Sequence, residues 1–472
     1  MTNFFKYLFI VILFVGFTSC EDDLQLPDNV IEFESSQLGF VSTESELVIN
    51  INFSREATEA GSIELTATLT GLDYGVQFTT DPAMEAGKLT IPVVVGATNA
   101  SFKVIKAEGV ALLGDETIKF TISSSVDALV LGENAELTLS FAEIVATLGN
   151  FEPNVGGDLQ PNKVFIDLSG SRQYFLSRSD WDLGFYAADD KFVVILNSST
   201  GMMARQLDKN NLNDVTASDT TGFGQQLSLA AVFAAVMGPP PGWISETINW
   251  IDDPTGNLDA TAIAAVSATE DDNKVYIVNR GKNADGSERG WKKVRIIRNG
   301  TGYTVQHADI SATSFESINV AKDDDYVFNY VHFTNGLVEA EPKKEAWDIA
   351  FTVFTNSFPL DASTFIPFEF KDFVIQNRTA ATLQIMTSTK SFESFAEADL
   401  TGLTLSTSQK GIGSSWRSIP SNSSTPPSVN SDRFYVVKDA ADNYYKIKFT
   451  ALTKSGERGH PAFDFELVKK GS

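Results

Sequence analysis

Residue types that carry enzymatic chemistry do not occur in this sequence at the spacings that known catalytic motifs require. There is no G-x-S-x-G nucleophile motif, no H-E-x-x-H zinc motif and no phosphate-binding P-loop. The segment Gly411-Ile412-Gly413 begins like a dinucleotide-binding loop, but Trp416 stands where the last glycine belongs. Acids are abundant, so a glycosidase pair stays open. The sequence therefore favours a binding protein over an enzyme.

The first residues of the chain have the order of a secretory signal. Lys6 precedes an apolar run, residues 7–17, that is shorter than the roughly 20 residues of a transmembrane helix. Small residues then stand directly before Cys20, the only cysteine. This order resembles a bacterial lipobox, which implies removal of residues 1–19 and lipidation of Cys20. An ordinary signal peptide with a chance cysteine is the alternative.

The residues after Cys20 predict where the protein is held. Glu21, Asp22 and Asp23 resemble the surface-export signal of Bacteroidetes lipoproteins, and a solvated tether is the alternative interpretation. In both cases residues 20–30 would connect a lipid anchor to the first domain. We therefore predict an outer-membrane lipoprotein that is exposed at the cell surface.

Composition excludes one class of partner and one source of stability. The formal net charge is −25, and so acidic a surface repels phosphate backbones, which argues against nucleic acid. With Cys20 used for the anchor, no disulfide and no cysteine-based zinc site remain. Stability must come from hydrophobic cores, for which 43% hydrophobic residues are ample.

The pattern of the mature chain is that of an all-β protein. Residues 31–146 contain several short segments in which apolar residues alternate with polar ones, which predicts an antiparallel β-sandwich. The phrases Leu72-Asp73-Tyr74-Gly75 and Gly114-Asp115-Glu116-Thr117 resemble those of Calx-beta and related immunoglobulin-like modules. Relatives of that kind bind calcium in some cases; the alternative is that these acids form turns.

A repeated phrase organises the rest of the chain. Trp181-Asp182-Leu183-Gly184-Phe185 returns as Trp347-Asp348-Ile349-Ala350-Phe351, and segments 274–297 and 433–452 also match each other. A period of this length indicates a duplicated domain rather than a solenoid. We predict two domains, 149–312 and 323–472, with short helices in variable inserts. The tryptophan and aspartate of each phrase have the chemistry of packing and of backbone capping.

The order of these features resembles the HmuY family. It consists of a strand, the Trp-Asp phrase, a strand running into an asparagine (Asn197 and Asn356), a variable middle and a closing hairpin with Val-Lys-Asp-x-x-Asp-x-Tyr-Tyr-Lys. HmuY proteins are Bacteroidetes lipoproteins with an all-β fold that bind haem at the cell surface. The resemblance implies two tandem copies, a haem (tetrapyrrole) cargo used in iron acquisition, and a TonB-dependent haem transporter as partner.

The residues that could hold haem iron differ from those of the best-known family members, which use two histidines in the variable middle. His307, His332 and His460 all lie outside the two middles, and we interpret them as surface or strand-end residues. Some relatives use methionine, whose thioether is an axial ligand of haem iron. The middles supply four candidates: Met202, Met203, Met237 and Met386. The alternative is that these methionines fill gaps in the core.

Two classes of function follow. One is a haem-binding lipoprotein; the other is a relative that kept the scaffold and serves as a surface adhesin or as a glycan-binding or protein-binding module. The aromatic residues Trp243, Trp250 and Trp416 in the middles could stack on a sugar or close the ends of the sheets, and we favour the second. We predict no metal site, and we interpret Asp323-Asp324-Asp325 as a solvated turn.

Overall fold

The computed structural model describes residues 28–40, 45–107, 116–124, 126, 129–141, 145–220, 226–420 and 426–471. Residues 1–19, the proposed lipidation site Cys20 and Asp115 of the Calx-beta-like phrase lie outside them. The chain divides near Phe141 into two compact units. Among the described residues no helix has both the length and the apolar character needed to cross a membrane.

The described part of the N-terminal unit contains ten short strands. They are β1 (Asn29–Phe33), β2 (Gln37–Gly39), β3 (Glu46–Phe53), β4 (Gly61–Thr70), β5 (Phe78–Asp81), β6 (Lys88–Val93), β7 (Asn99–Lys106), β8 (Thr117–Ser124), β9 (Leu129–Leu131) and β10 (Glu136–Ser140). They form two five-stranded sheets with the orders β5-β7-β3-β1-β9 and β2-β10-β8-β4-β6.

Side-chain alternation along these strands produces the predicted sandwich. In β3 every second side chain is buried, from Leu47 to Phe53, as expected for a strand with one face on a core. Phe102 of one sheet packs against Phe120 of the other, with ring centroids 5.0 Å apart. The prediction of an all-β fold is confirmed, although β1 and β9 pair in parallel, which the expectation of an antiparallel sandwich did not include.

The C-terminal unit contains twenty strands and one α-helix among its described residues. The strands up to the second Trp-Asp phrase are β11 (Leu148–Phe151), β12 (Asn162–Asp167), β13 (Arg172–Ser177), β14 (Leu183–Tyr186), β15 (Val194–Leu196), β16 (Met203–Gln206), β17 (Val275–Asn279), β18 (Trp291–Asn299), β19 (Gly302–Asp309), β20 (Glu316–Val320), β21 (Phe328–His332) and β22 (Gly336–Val338).

Eight strands follow, and helical segments occupy the inserts. The strands are β23 (Ile349–Pro359), β24 (Phe365–Gln376), β25 (Ala381–Met386), β26 (Arg417–Ser418), β27 (Ser428–Val429), β28 (Arg433–Lys438), β29 (Tyr444–Lys454) and β30 (Glu457–Lys469). The α-helix is α1 (Leu229–Val236), and 3-10 turns cover Ser198–Thr200, Leu212–Asp214, Ala217–Thr220, Gly242–Trp250, Glu270–Asp272 and Glu397–Leu400. Helix α1 is one of the short helices that the sequence predicts in the inserts, and the Ser228 hydroxyl caps it by accepting from the Ala231 N–H.

The two halves that carry the repeated phrase exchange their first hairpins. Hairpin β12–β13 pairs with β23, the strand of the second phrase, with Phe165 opposite Ala350. Hairpin β21–β22 pairs with β14, the strand of the first phrase, with Tyr330 opposite Gly184. The leading strands exchange too: β11 pairs with β30 and β20 pairs with β19. Each half therefore completes the sheets of the other.

Because of this exchange, the duplicated segments do not form two separate domains. The sequence predicted two consecutive domains, 149–312 and 323–472, but both segments lie in one compact unit and share its sheets. One hydrophobic core contains Phe151 and Ile166 from the first half together with Ile349 and Phe463 from the second. The segments are therefore interlocked halves of one unit, because neither half contains all the strands of its own sheets.

Candidate functional site

The two Trp-Asp phrases occupy equivalent positions in the interlocked halves. The Trp181 ring packs edge-on against Tyr330, with centroids 4.8 Å apart, and Trp347 packs in the same way against Phe165 at 5.0 Å. Each aspartate is anchored on the opposite hairpin: the Asp182 N–H donates to the Val331 carbonyl. The phrases therefore build a scaffold, as the sequence indicated.

An asparagine side chain donates a hydrogen bond to the tryptophan carbonyl of each phrase. Asn197 Nδ2 donates to the Trp181 carbonyl at 2.8 Å, and Asn377 Nδ2 donates to the Trp347 carbonyl at 2.7 Å. The sequence predicts Asn356 as the counterpart of Asn197, and this assignment is wrong. Strands β23 and β24 are much longer than β14 and β15, so the equivalent residue follows β24, well beyond Asn356.

Asp182 forms a buried ion cluster. Its side chain is fully buried, and the Arg280 guanidinium binds both carboxylate oxygens, with distances of 2.8 and 2.9 Å. Arg289 Nη2 lies 3.0 Å from Asp182 Oδ1, and the Phe333 N–H donates to Oδ2 at 2.8 Å. The carboxylate thus compensates two buried arginines.

Asp348 has the opposite electrostatic environment. Its carboxylate accepts the Leu168 N–H at 2.8 Å, which is the counterpart of the Phe333 contact. Burial raises the pKa of Asp348 well above its usual value, and the nearby carboxylates of Asp167 and Asp439 raise it further. When segments 274–297 and 433–452 are aligned, Asp439 occupies the position of Arg280. This difference explains why one half has an ion pair where the other half has a group of acids.

The four candidate methionines are not brought together. Met202 and Met203 are buried in two different apolar clusters, where their thioethers fill space in the core. Met386 is half-buried at the end of β25, and its Sδ accepts from Gln384 Nε2 at 3.4 Å. Met237 differs, because 75% of it is exposed.

Met237 belongs to an exposed apolar surface, which we call the aromatic surface: Phe233 of α1, Met237 at its C-cap, and Phe358 and Phe368 of hairpin β23–β24. Phe233 is 52% exposed, and the spacing of four residues places it on the same helical face as Met237. The Phe233 and Phe368 ring centroids lie 6.4 Å apart, and those of Phe358 and Phe368 lie 5.6 Å apart. Such a cluster of exposed apolar side chains is typical of a binding surface.

Packing beneath the aromatic surface holds its two elements together. Val232 of α1 and Ile366 of β24 belong to one buried cluster with Trp250 and Met203. Because this core lies under both elements, the positions of Met237 and of the phenylalanines are set by the fold rather than by a loose loop.

An open cleft lies on another part of the same hairpin. It has a volume of about 540 Å³ and carries many hydroxyl and amide groups. Its lining includes Ser245, Asn249, Thr261, Ser357, Thr364, Lys410 and the aromatic ring of Phe365.

The histidines have three different environments. His307 lies in β19 and is buried, and burial lowers its pKa. Neither of its ring nitrogens has a hydrogen-bond partner among the residues that the structure describes. The expectation that it lies at the surface or at a strand end is therefore wrong. His332 ends β21 with Nε2 3.2 Å from Arg280 Nη2, and His460 lies 3.7 Å from Glu457. Each thus has a different neighbour.

The tryptophans of the inserts pack rather than line an open pocket. Trp416 is fully buried, stacks on Phe449 at 4.4 Å and donates its N–H to the Asp372 carbonyl. Trp243 and Trp250 stack on each other with centroids 6.1 Å apart. All three rings therefore take part in packing.

Sequence comparison gives the class of protein. The family model described as "HmuY protein" matches residues 159–465. The match covers more than half of the chain and runs through both halves of the C-terminal unit. The chain belongs to the HmuY family, which is a family of binding proteins. No curated protein matches the chain.

Similar solved structures are distant. The apo form of the Calx CBD1 domain is 13% identical, with 25% of this chain and 97% of that chain covered and a TM-score of 0.21. A two-domain protein of unknown function from Bacteroides fragilis is 10% identical, with coverages of 40% and 74% and a TM-score of 0.18. Apo PinO from Porphyromonas gingivitis is 18% identical, with coverages of 36% and 92% and a TM-score of 0.13. These low scores carry no argument about fold or function.

Proposed function

We propose that this protein is an outer-membrane-anchored lipoprotein that binds haem for iron acquisition, with Met237 as axial ligand and the aromatic surface as the platform for the porphyrin. The single observation that carries the proposal is the exposed Met237, which follows the exposed Phe233 by four residues, with the Phe233 ring 6.4 Å from that of Phe368. Membership of the HmuY family and the lipobox-like position of Cys20 support it.

The chemistry of the aromatic surface suits a flat apolar ligand with a metal at its centre. A methionine thioether binds haem iron directly, and phenylalanine rings contact a porphyrin face or edge without needing hydrogen bonds. Met237 needs no rearrangement of the core to reach a ligand, because most of its side chain already faces solvent. Met202 and Met203 would need one, because they are buried.

A surface site also suits transfer. Haem that lies on an exposed platform keeps one face and its other axial position accessible to a partner or a solvent ligand. We therefore infer that a TonB-dependent haem transporter takes the cargo from this surface. Such a transfer is simpler from an open platform than from a closed cavity.

Titration with haemin tests the proposal. We expect purified mature protein to shift the Soret band of haem at micromolar concentration. The titration is done with ferric haem and again after reduction of the iron with dithionite. Replacement of Phe233 and Phe368 by alanine should weaken binding about tenfold or more, because an aromatic contact contributes about 0.5–1.5 kcal/mol.

The matched control is Phe175→Ala, which removes a ring of similar exposure, 44%, from strand β13. It should leave the titration unchanged. If the unaltered protein shows no Soret shift at micromolar haem, the haem proposal is rejected.

A second candidate function has an observation of its own. The open cleft carries hydroxyl and amide groups beside Phe365, which is 44% exposed, and sugars are bound by this combination of polar groups and an aromatic ring. A glycan array probed with the unaltered protein and with Phe365→Ala distinguishes this function. If the protein binds glycans through Phe365 and does not bind haem, its function is that of a surface adhesin with the fold of the family.

A further inference from the structure

A small internal cavity lies between the interlocked halves, apart from the aromatic surface. Its volume is about 80 Å³. Both equivalent tryptophans, Trp181 and Trp347, line it together with the apolar side chains of Ile195, Met202 and Phe354. The cavity therefore lies where the two copies of the repeated phrase face each other.

Two buried donors line this cavity. Lys163 is 7% exposed and Trp347 is 5% exposed. No described residue accepts a hydrogen bond from Trp347 Nε1. Lys163 Nζ lies 4.6 Å from the ring centroid of Phe165 and 5.9 Å from that of Trp347, and its charge also interacts with Glu341. A buried donor without a partner is rare and destabilising, so Trp347 Nε1 predicts a bound acceptor.

The carboxylates near the cavity are already engaged. Glu341 accepts from the Phe328 N–H at 3.0 Å and from the Tyr330 hydroxyl at 2.9 Å. Asp252 accepts from the Leu196 N–H at 2.6 Å and from the Ala262 N–H at 2.9 Å. Neither carboxylate accepts a hydrogen bond from Trp347 Nε1, while the charge of Glu341 acts on Lys163.

Lys163 is charged at neutral pH. Burial lowers its pKa to about 8, while the carboxylate of Glu341 opposes this shift. An ammonium group beside an indole N–H is a site for an anion rather than for a neutral acceptor.

We propose that this cavity binds a small organic carboxylate with a short apolar tail. The carboxylate accepts from Lys163 Nζ and Trp347 Nε1, and the tail lies against Trp181 and Met202. Water alone would satisfy the donors but would leave the apolar wall without a partner. A short-chain monocarboxylate satisfies both parts of the lining.

A second basic residue belongs to the lining. Arg378 is exposed, and its guanidinium donates to the Gly256 carbonyl, which also lines the cavity. Lys163 and Arg378 thus both supply positive charge to this lining.

Calorimetric titration of the full mature protein with sodium butyrate tests the proposal. We expect butyrate to bind with a change in tryptophan fluorescence, and neutral butyramide to bind at least tenfold more weakly. Lys163→Met, which keeps the length of the side chain and removes the charge, should lower butyrate affinity at least tenfold. Trp347→Phe, which removes the N–H and keeps a ring against Phe165, should lower it as well.

The matched control is Lys448→Met on β29, a partly exposed lysine outside the cavity, which should bind butyrate normally. No binding of butyrate at millimolar concentration, or equal binding by the Lys163→Met protein, overturns the proposal. If Lys163→Met does not fold, the other two measurements test the proposal. Equal affinity for butyrate and butyramide, or unchanged butyrate affinity of Trp347→Phe, then overturns it. Haem is absent throughout, so failure here is distinct from failure of the haem proposal.

Discussion

Replacing Asp182 by alanine is expected to lower the free energy of unfolding by about 3–5 kcal/mol, since breaking a buried ion pair from one side leaves its partner uncompensated. Here two guanidinium groups, those of Arg280 and Arg289, would lose the carboxylate that they share. The Phe333 N–H would lose its acceptor too. Urea unfolding followed by tryptophan fluorescence at pH 7 measures the effect.

The equivalent position in the other half supplies a matched control. Asp348→Asn keeps an oxygen for the Leu168 N–H and removes a carboxylate that faces Asp167 and Asp439. Because the folded state raises the pKa of Asp348, wild-type stability falls as pH rises through that raised pKa. The asparagine variant should lack this loss and be as stable as the wild type or more so at pH 7. Equal destabilisation by Asp182→Ala and Asp348→Asn would contradict the assigned environments.

Separating the two halves of the C-terminal unit is expected to abolish folding of each. In a chain of residues 142–314, strands β12, β14 and β11 would lose their pairing partners from the second half. These partners are β23, β21 and β30, respectively. Its hydrophobic core would lose Phe463 and the other contributions of the second half. We expect no cooperative unfolding transition by circular dichroism and aggregation through the unpaired strand edges.

The control for this experiment is the whole C-terminal unit, residues 142–472, which should unfold cooperatively. Co-expression of residues 142–314 with residues 315–472 should restore one complex that co-purifies, because all the strand pairs are then present. A single half that folds alone with a cooperative transition would show that the halves are independent domains after all.

Much of the fold could be predicted because local patterns encode it. Alternating strands, the helix after Ser228 and the equivalence of Trp181 and Trp347 follow from short-range periodicity and from the repeated phrase. The exchange of hairpins could not be predicted in the same way. The sequence pattern of β12 would allow it to pair with β14 or with β23, the strands of the two phrases. Only the packing of the whole unit selects β23.

The site was harder to predict because its chemistry depends on contacts between distant segments. The matched hairpins place Arg280 opposite Asp439 in the alignment, and this reversal of charge was the available signal for the different environments of Asp182 and Asp348. Lys163 and Glu341 carried no signal, since their burial arises from the exchange. Four methionines were equivalent as sequence, and only the structure separates exposed Met237 from buried Met202 and Met203.

The most direct test of the haem proposal is the absorption spectrum of the haem complex of Met237→His. If the Met237 thioether binds the iron, an imidazole at this exposed position should replace it and give the Soret and visible bands of histidine ligation, while Met386→His on β25 should keep the wild-type spectrum. A Met237→His complex with a spectrum identical to that of the wild type would contradict the account, because the iron would then lie elsewhere.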